Sequence, residues 1–363
     1  MGREVTKKSW WIRPLTWLIW AVAIVVFLIA IALLITQTRP FKNWVRDYIV
    51  ESANENLKGD LSIERLDGNF FTNVRLNGIA VSADSDTVFS LASLGIRYDL
   101  WALLGGTIKI DSLIIDSPYA YAEQLADSTW NLMYLVPEDT IATPDADTVA
   151  GEFDYAIELA TFLVRNGSVD IVSADSLIPE RVDGVNVAAS GNYTSSDYGL
   201  TLTSLQANTL HPDLNLKNLT FAMAGDTSHL EVVDLELLTI LNKITARADI
   251  YFNHFAQSTA EISADSLDIS EFSAFLPAHI IALRPIIDFH TNLRSDTLAS
   301  KVLLTAGKQV MDVSSRVSSV NAMIDSAAAA PVRWTLEVGI KNLLAAKWID
   351  NPEFDVVLNG EVT

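Results

Sequence analysis

The chain has 363 residues and no cysteine, half of its residues are hydrophobic, 19% are charged, and its formal net charge at pH 7 is −20. This length is sufficient for one large domain or two ordinary ones. Without cysteine, the chain has no disulfide framework, thiol nucleophile or thiolate metal site. The strong negative charge repels phosphate groups, so we expect no nucleic-acid partner and no broad adsorption to anionic headgroups.

The first predicted element is a transmembrane helix over residues 15–35. The run from Leu15 to Ile35 contains no charged residue, and about 20 apolar residues in a helix cross the ~30 Å hydrocarbon core of a bilayer. Basic residues outnumber acidic ones in residues 1–14, so the positive-inside rule predicts a cytoplasmic N-terminus. Ala30-Ile31-Ala32 has the form of a signal-peptide cleavage site, but the apolar run continues beyond it, which favours an uncleaved anchor.

An amphipathic helix is predicted next, over residues 36–59. One helical stripe is formed by five apolar residues, Phe41, Trp44, Val45, Tyr48 and Ile49. Two interpretations remain open for this helix. It is either a juxtamembrane helix that caps the following domain and lies near the lipid, or an ordinary helix that packs on a sheet. Gly59 is the expected stop.

From Leu61 onward, the pattern is that of β-strands with one apolar face. Apolar residues alternate with polar ones in several runs, for example over residues 244–252 and 332–340. Such alternation is typical of an antiparallel sheet with a single buried or greasy side. The alternation changes phase at Asn77-Gly78 and at Lys217-Asn218, which predicts a β-bulge at each place. Asn166-Gly167 fits either a bulge or a type I′ hairpin turn.

Few helices are predicted within this β region. Tyr98 to Leu104 is a predicted short helix that stops at two glycines. A second is predicted from Asp268 to Leu276, with Asp268 and Glu271 as a capping box. Residues 137–150 and 327–331 are predicted loops. Acidic clusters at strand ends are typical of turns, and calcium binding is the alternative that stays open.

Sequence motifs of enzymes are absent. The chain contains no phosphate-binding loop, no dinucleotide-binding glycine pattern and no Gly-x-Ser-x-Gly nucleophile elbow. Its five histidines do not stand at the spacing of metal ligands. We therefore expect no catalytic residue, no cofactor and no metal.

The order of four segments resembles that of the TamB family. Leu61 to Val81 resembles the opening strand pair with its Leu-x-Gly turns, and Leu94 to Asp116 resembles the strand, short helix and returning strand that follow. Asp127 to Leu132 is similar to a turn-Trp-Asn-Leu element of AsmA-like proteins, and Ile262 to Phe272 is similar to a strand-to-helix step found in both groups. The clear resemblance covers the anchor and residues 57–135.

The resemblance implies a single-pass inner-membrane subunit of the translocation and assembly module, with its bulk in the periplasm of a diderm bacterium. Such proteins are associated with the insertion of outer-membrane proteins, including autotransporters, through a TamA-like barrel of the Omp85 class. They are also implicated in carrying phospholipid between the inner and outer membranes along a greasy β-groove. The family has a characteristic C-terminal region that this chain lacks, so we expect a truncated protein or a fragment.

These observations predict a mainly β fold, in which an N-terminal transmembrane helix precedes an elongated, curled antiparallel β-sheet that forms a taco-like groove with a few short helices. Roughly 18 strands at ~4.8 Å spacing would extend about 85 Å. The predicted segments are a cytoplasmic N-terminus (1–14), the transmembrane helix (15–35), the amphipathic helix (36–59), a first β segment (60–136), a loop (137–150) and a continuing, truncated β-groove segment (151–363).

Apolar strand positions are the candidate functional residues. We expect acyl chains of phospholipid to lie against five of them, Ile244, Ile250, Trp334, Leu336 and Val338. The alternative for each of these residues is an ordinary place in a packed core. The alternative for the whole chain is an anchored periplasmic scaffold or binding protein with a closed β-core and no lipid conduction.

Overall fold

A computed structural model describes residues 12–83, 86–135, 155–324 and 331–362 of the chain. The predicted loop at 137–150, most of the predicted cytoplasmic segment and residues 327–330 of the second predicted loop lie outside the described residues. The described chain is mainly β, with one large, chiefly antiparallel sheet and few helices. The coarse prediction of the fold class is therefore confirmed.

Two helices stand at the N-terminal side of the sheet, α1 (Ile12–Thr36) and α2 (Arg39–Asn54). Within the described residues, no single helix combines the length and the hydropathy needed to cross a membrane, and Trp20–Thr36 and Arg39–Asn54, bent by 66°, do so only as a pair. The predicted stop of the second helix at Gly59 is wrong. The helix ends earlier because the Asn54 side chain turns to the first strand, accepting from the Leu61 N–H at 2.7 Å and donating to the Leu61 carbonyl at 3.3 Å.

Seventeen strands form the sheet in the described part of the chain. The strands are β1 (Asp60–Asn69), β2 (Asn73–Ala83), β3 (Asp86–Asp99), β4 (Thr107–Asp116), β5 (Tyr119–Glu123), β6 (Ala156–Val172), β7 (Arg181–Tyr193), β8 (Asp197–Leu210), β9 (Leu214–Asp226), β10 (His229–Thr239), β11 (Lys243–Tyr251), β12 (Thr259–Asp268), β13 (Ile286–Arg294), β14 (Thr297–Ala306), β15 (Gln309–Ser318), β16 (Arg333–Leu344) and β17 (Val357–Val362).

Consecutive strands pair antiparallel along most of the sheet, and one position departs from this rule. Strands β4 and β5 lie end to end beside β3, and their register against β3 is the same on both sides of Ser117 and Pro118. Strand β6 then runs parallel to both of them. A parallel neighbour requires a long connection back to the starting end, and residues 124–155 provide it. The sheet extends about 70 Å across its strands, because β4 and β5 share one position.

The predicted irregularities within strands have three different outcomes. The bulge at Lys217-Asn218 is confirmed, since β9 carries one residue more than β10 between the pairs Leu238–Asn218 and Thr239–Leu216. The hairpin alternative at Asn166-Gly167 is wrong, because β6 continues through this point with a shift in register.

The predicted bulge at Asn77-Gly78 is wrong. The register of β2 against β1 continues unshifted from the pair Ile63–Ile79 to the pair Arg65–Asn77. Gly78 instead adopts a φ of +60°, a left-handed conformation that favours glycine. The change of phase therefore comes from the backbone conformation of one residue and not from an inserted one.

The remaining helices are short. They are α3 (Leu100–Leu103), α4 (Ala278–Leu283), α5 (Asn321–Ile324), α6 (Ala345–Trp348) and the 3-10 turns Asn131–Leu135, Phe255–Gln257, Ile269–Phe275 and Pro352–Phe354.

The predicted capping box at Asp268 is half right. The Asp268 carboxylate accepts from the Ser270 N–H at 2.9 Å and caps the turn. The Glu271 carboxylate, however, does not return to the residue that it was predicted to cap. It accepts from the Ile240 N–H at 3.0 Å and from the side chains of Thr239 and Asn242. Glu271 therefore ties the β10–β11 turn to this helical turn.

Burial is sparse for a chain of this length. Ten hydrophobic residues of the described part are buried. One cluster of three, Ile63, Ile79 and Leu91, lies at the N-terminal side of the sheet, where Val50 of α2 packs against it. Elsewhere the strands are mostly half-buried, as expected of a sheet without a second layer.

Candidate functional site

Strand pairing determines which side chains share a face of the sheet, because directly opposite residues point to the same side. One row of opposite residues crosses every strand position from β3 to β16. We call it the long apolar row, and its members are Tyr98, Ile110, Leu159, Gly191, Leu200, Met223, Val232, Ala248, Ala260, Leu293, Leu298, Val317 and Trp334. No member is charged.

Two further rows lie on the same face. The first runs from β1 to β8 through Leu66, Leu76, Leu94, Ile115, Val164, Val187 and Leu205. The second runs from β9 to β17 through Leu219, Leu237, Ile244, Ala264, Phe289, Val302, Val313, Val338 and Val362. With the long apolar row, these residues define the apolar face, a surface that continues from one lateral edge of the sheet to the other.

All five candidate residues from the sequence lie on this apolar face. Trp334 ends the long apolar row, and its side chain is 71% exposed. Ile244 and Val338 belong to the β9–β17 row. Leu336 lies between these two rows on β16, and Ile250 pairs with Leu230 near one end of β11. The structure thus brings them to one surface but not to one pocket.

A small polar group on the apolar face was not predicted. Thr291, Ser300 and Ser315 stand opposite one another on β13, β14 and β15, in line with Leu336. The Thr291 hydroxyl donates to the Ser300 hydroxyl at 3.0 Å, so part of this polarity is satisfied within the sheet. Alternation alone did not single out these residues, because small hydroxyl side chains are common on both faces of strands.

The opposite face is polar and carries the ion pairs of the sheet. Examples are Lys109 with Glu158 at 3.3 Å and Lys301 with Asp312 at 3.5 Å. A shallow depression of about 580 Å³ lies on this face beside the ion pair of Arg247 and Glu261. Pairs as exposed as these contribute little to stability, and their main effect is to keep this face compatible with water.

Titratable groups of the described chain meet mostly in ion pairs; Arg181, for example, lies 3.5 Å from Asp170 and 4.0 Å from Asp183. No group of three or more histidine, aspartate or glutamate residues stands together there as metal ligands would. Every buried side-chain nitrogen or oxygen among the described residues has a hydrogen-bond partner.

The perturbed aspartates act as turn caps. The Ser228 hydroxyl and N–H both donate to the Asp226 carboxylate, at 2.7 and 2.6 Å, and these bonds lower the pKa of Asp226. Asp127 and Asp268 have pKa values lowered in the same way, by Thr129 and by Ser270. These contacts support the turn interpretation of the acidic clusters.

Helix α2 closes the apolar face at its N-terminal side. Val50 faces the buried cluster, whereas Trp44 and Tyr48, which stack on each other, are each 61% exposed. Of the predicted stripe, Phe41 and Val45 are half-buried, whereas the other three residues are exposed, so the stripe is split between the two sides of the helix. The interpretation as a helix packed on a sheet describes one side, and the exposed aromatic side leaves the lipid-proximal interpretation open.

Comparisons with known protein families, with curated proteins and with solved structures find no match for this chain.

Proposed function

We propose that the chain is a membrane-anchored periplasmic protein whose apolar sheet face shields the acyl chains of phospholipid on their way between the inner and outer membranes. The observation that carries this proposal is the long apolar row, which crosses the strands from β3 to β16 without a charged residue. Resemblance to the TamB family supports the same function, together with a role in outer-membrane protein assembly and an Omp85-class barrel as partner.

The physical basis of this proposal is that the sheet pairs its backbone polar groups internally while its side chains form an apolar surface. Strand backbones are paired with one another, so the apolar face presents few unsatisfied polar groups to a lipid chain. Each methylene removed from water contributes about 0.8 kcal/mol. A path along the long apolar row is about 60 Å, since neighbouring strands lie ~4.8 Å apart. Lipid could therefore move from strand to strand over a nearly uniform apolar surface.

Burial favours this function over the closed scaffold. A closed β-core would bury its two inner faces. In the described part, however, only ten hydrophobic residues are buried, and Trp334 and Leu336 are exposed. In this proposal the sheet is curled into a groove around the acyl chains. Helix α1 is the inner-membrane anchor, with its N-terminus in the cytoplasm, as its apolar sequence and the preceding basic residues suggest.

Site-specific photocrosslinking in cells tests the proposed lipid path. A photoreactive residue replaces Leu336 on the apolar face, and its neighbour Glu337 on the polar face serves as the matched control. We expect phospholipid crosslinks at position 336 and none at position 337. Equal labelling at both positions, or no lipid adduct together with no phospholipid in mass spectra of the purified protein, contradicts the proposal and favours the scaffold.

A further inference from the structure

An exposed apolar turn joins β3 to β4. In this turn, α3 and the residue after it present Leu100, Trp101, Leu103 and Leu104 to solvent, and Trp101 and Leu104 are each 81% exposed. Isolated exposed hydrophobic residues are ordinary, but four within five residues form a patch that favours a partner.

The local backbone holds this patch outward. The Asp99 carboxylate accepts from the Trp101 N–H at 2.9 Å and caps the single helical turn. Gly106, with a φ of +78°, then returns the chain to β4. Because residues three apart lie on the same side of a helical turn, Trp101 and Leu104 project together. The exposure is thus a consequence of a capped and terminated turn.

A chain of contacts connects this turn to the end of α1. Phe41, near the start of α2, packs edge-on against Phe70 in the β1–β2 turn, with ring centroids 5.6 Å apart. The Tyr98 hydroxyl donates to the Phe70 carbonyl at 2.8 Å, and Tyr98 directly precedes the capping residue of α3. The residue before the cap of α3 and a residue in the first turn of α2 therefore meet at Phe70.

The surroundings of the turn fit a lipid interface better than a protein partner. Arg39 and Lys42 stand beside the end of α1 and complement anionic headgroups. Asp99, the acidic residue that precedes the turn, accepts a hydrogen bond from the backbone of the turn. Tryptophan and leucine beside basic residues are the composition of segments that insert into the interface between headgroups and acyl chains.

We propose that α3 is a second membrane contact, in which Trp101 and Leu104 insert into the bilayer interface beside α1. This proposal rests on the proposed function, because it requires α1 to lie in the membrane. It also extends that function. The long apolar row begins at Tyr98, which is bonded to the Phe70 turn and adjoins α3, so the contact would place the start of the row at the lipid surface.

Spin labels on single cysteines test this contact in the full chain, since the native sequence has no cysteine. The protein is reconstituted in vesicles of phosphatidylcholine and phosphatidylglycerol, and collision of each label with a water-soluble nickel chelate and with oxygen is measured. Trp101→Cys and Leu104→Cys report on the turn, and Ile24→Cys reports on α1. Leu177→Cys, an exposed apolar position in the β6–β7 turn at the opposite ends of the strands, is the matched aqueous control.

We expect the labels at positions 101 and 104 to collide with the nickel chelate roughly tenfold less often than the label at position 177, and to favour oxygen, as interfacial residues do. A shielded label at position 24 with labels at 101 and 104 as accessible as the control overturns the second contact and leaves the anchor intact. An accessible label at position 24 overturns the anchor, and with it both proposals.

Discussion

Strands β1 to β3 and strands β13 to β16 carry the same alternating sequence pattern but differ in how deeply its apolar residues are buried. In β1 to β3, alternating apolar residues such as Ile63 and Ile79 are buried, each 8% exposed, because α2 covers them. In β13 to β16, equally alternating residues such as Val313 and Leu336 remain partly or largely accessible. A covering element thus determines burial here, and the uncovered side retains apolar surface that a ligand could cover.

The largest expected effect lies in the covered region. Ile79→Ala removes buried methyl groups and leaves a cavity under α2, so we expect the local free energy of opening to fall by ~2–4 kcal/mol. Leu336→Ala, in the uncovered region, should cost less than ~1 kcal/mol. Hydrogen exchange of the neighbouring amides measures both values. Equal costs at the two positions would remove the distinction between covered and uncovered strands.

In the uncovered region, the hydrogen bonds of Glu271 should stabilise the β10–β11 turn, where no helix covers the strands. Glu271→Ala removes the carboxylate that accepts from the Ile240 N–H and from the buried side chains of Thr239 and Asn242. We expect the β10–β11 turn to lose about 1–3 kcal/mol of local stability. Glu271→Gln retains an acceptor oxygen and should lose less. Faster amide exchange at Ile240 in both variants to the same extent would speak against this role.

The amount of bound phospholipid tests whether the uncovered apolar surface is covered by lipid. Val313→Glu places a charge in the middle of the apolar face, and burying a carboxylate against acyl chains is costly. We expect co-purified phospholipid to fall roughly tenfold, since a penalty of about 1.4 kcal/mol already has that effect. Ser314→Glu, on the polar face of the same strand, is the control and should leave the lipid content unchanged. A parallel loss in both variants would point to unfolding.

The smallest effect concerns the turns. The pKa of Asp226 is lowered below its ordinary value of 3.8 by bonds from Ser228. A group whose pKa is lowered by folding contributes stability above its unfolded pKa, and this contribution disappears as the pH falls below that value. Asp226→Asn should therefore weaken the acid dependence of the β9–β10 turn below pH 3.8, as followed by amide chemical shifts. An unchanged acid profile would contradict the cap.

Local features of the fold were predictable because they depend on neighbours in sequence. Helical spacing around Phe41 predicted α2, and the glycines after Leu104 predicted the end of α3. Pairing could not be predicted in the same way. The shared position of β4 and β5, the parallel β6 and the path of the long apolar row depend on contacts between residues far apart in sequence.

The candidate site followed the same division. Alternation predicted that Ile244 and Trp334 would share a sheet face, but it did not reveal which residues stand opposite them. Glu271 was expected to cap its own helical turn and instead reaches a distant one, since a carboxylate takes whichever donors the fold presents. The exposure of Trp101 was also invisible in the sequence, because an apolar run has the same composition whether covered or bare.

The parallel step at β6 has a mechanical consequence. From β7 to β17, each strand is joined to its neighbour by sequence as well as by hydrogen bonds, so a pull on the last strand peels the sheet one strand at a time, as a zipper opens. At β6 the chain instead returns through a connection whose Leu135 carbonyl accepts from the Lys58 N–H at 2.9 Å, beside β1. Because β6 pairs with both β4 and β5, its release would break the pairings of two strands, so the order of one strand at a time ends there.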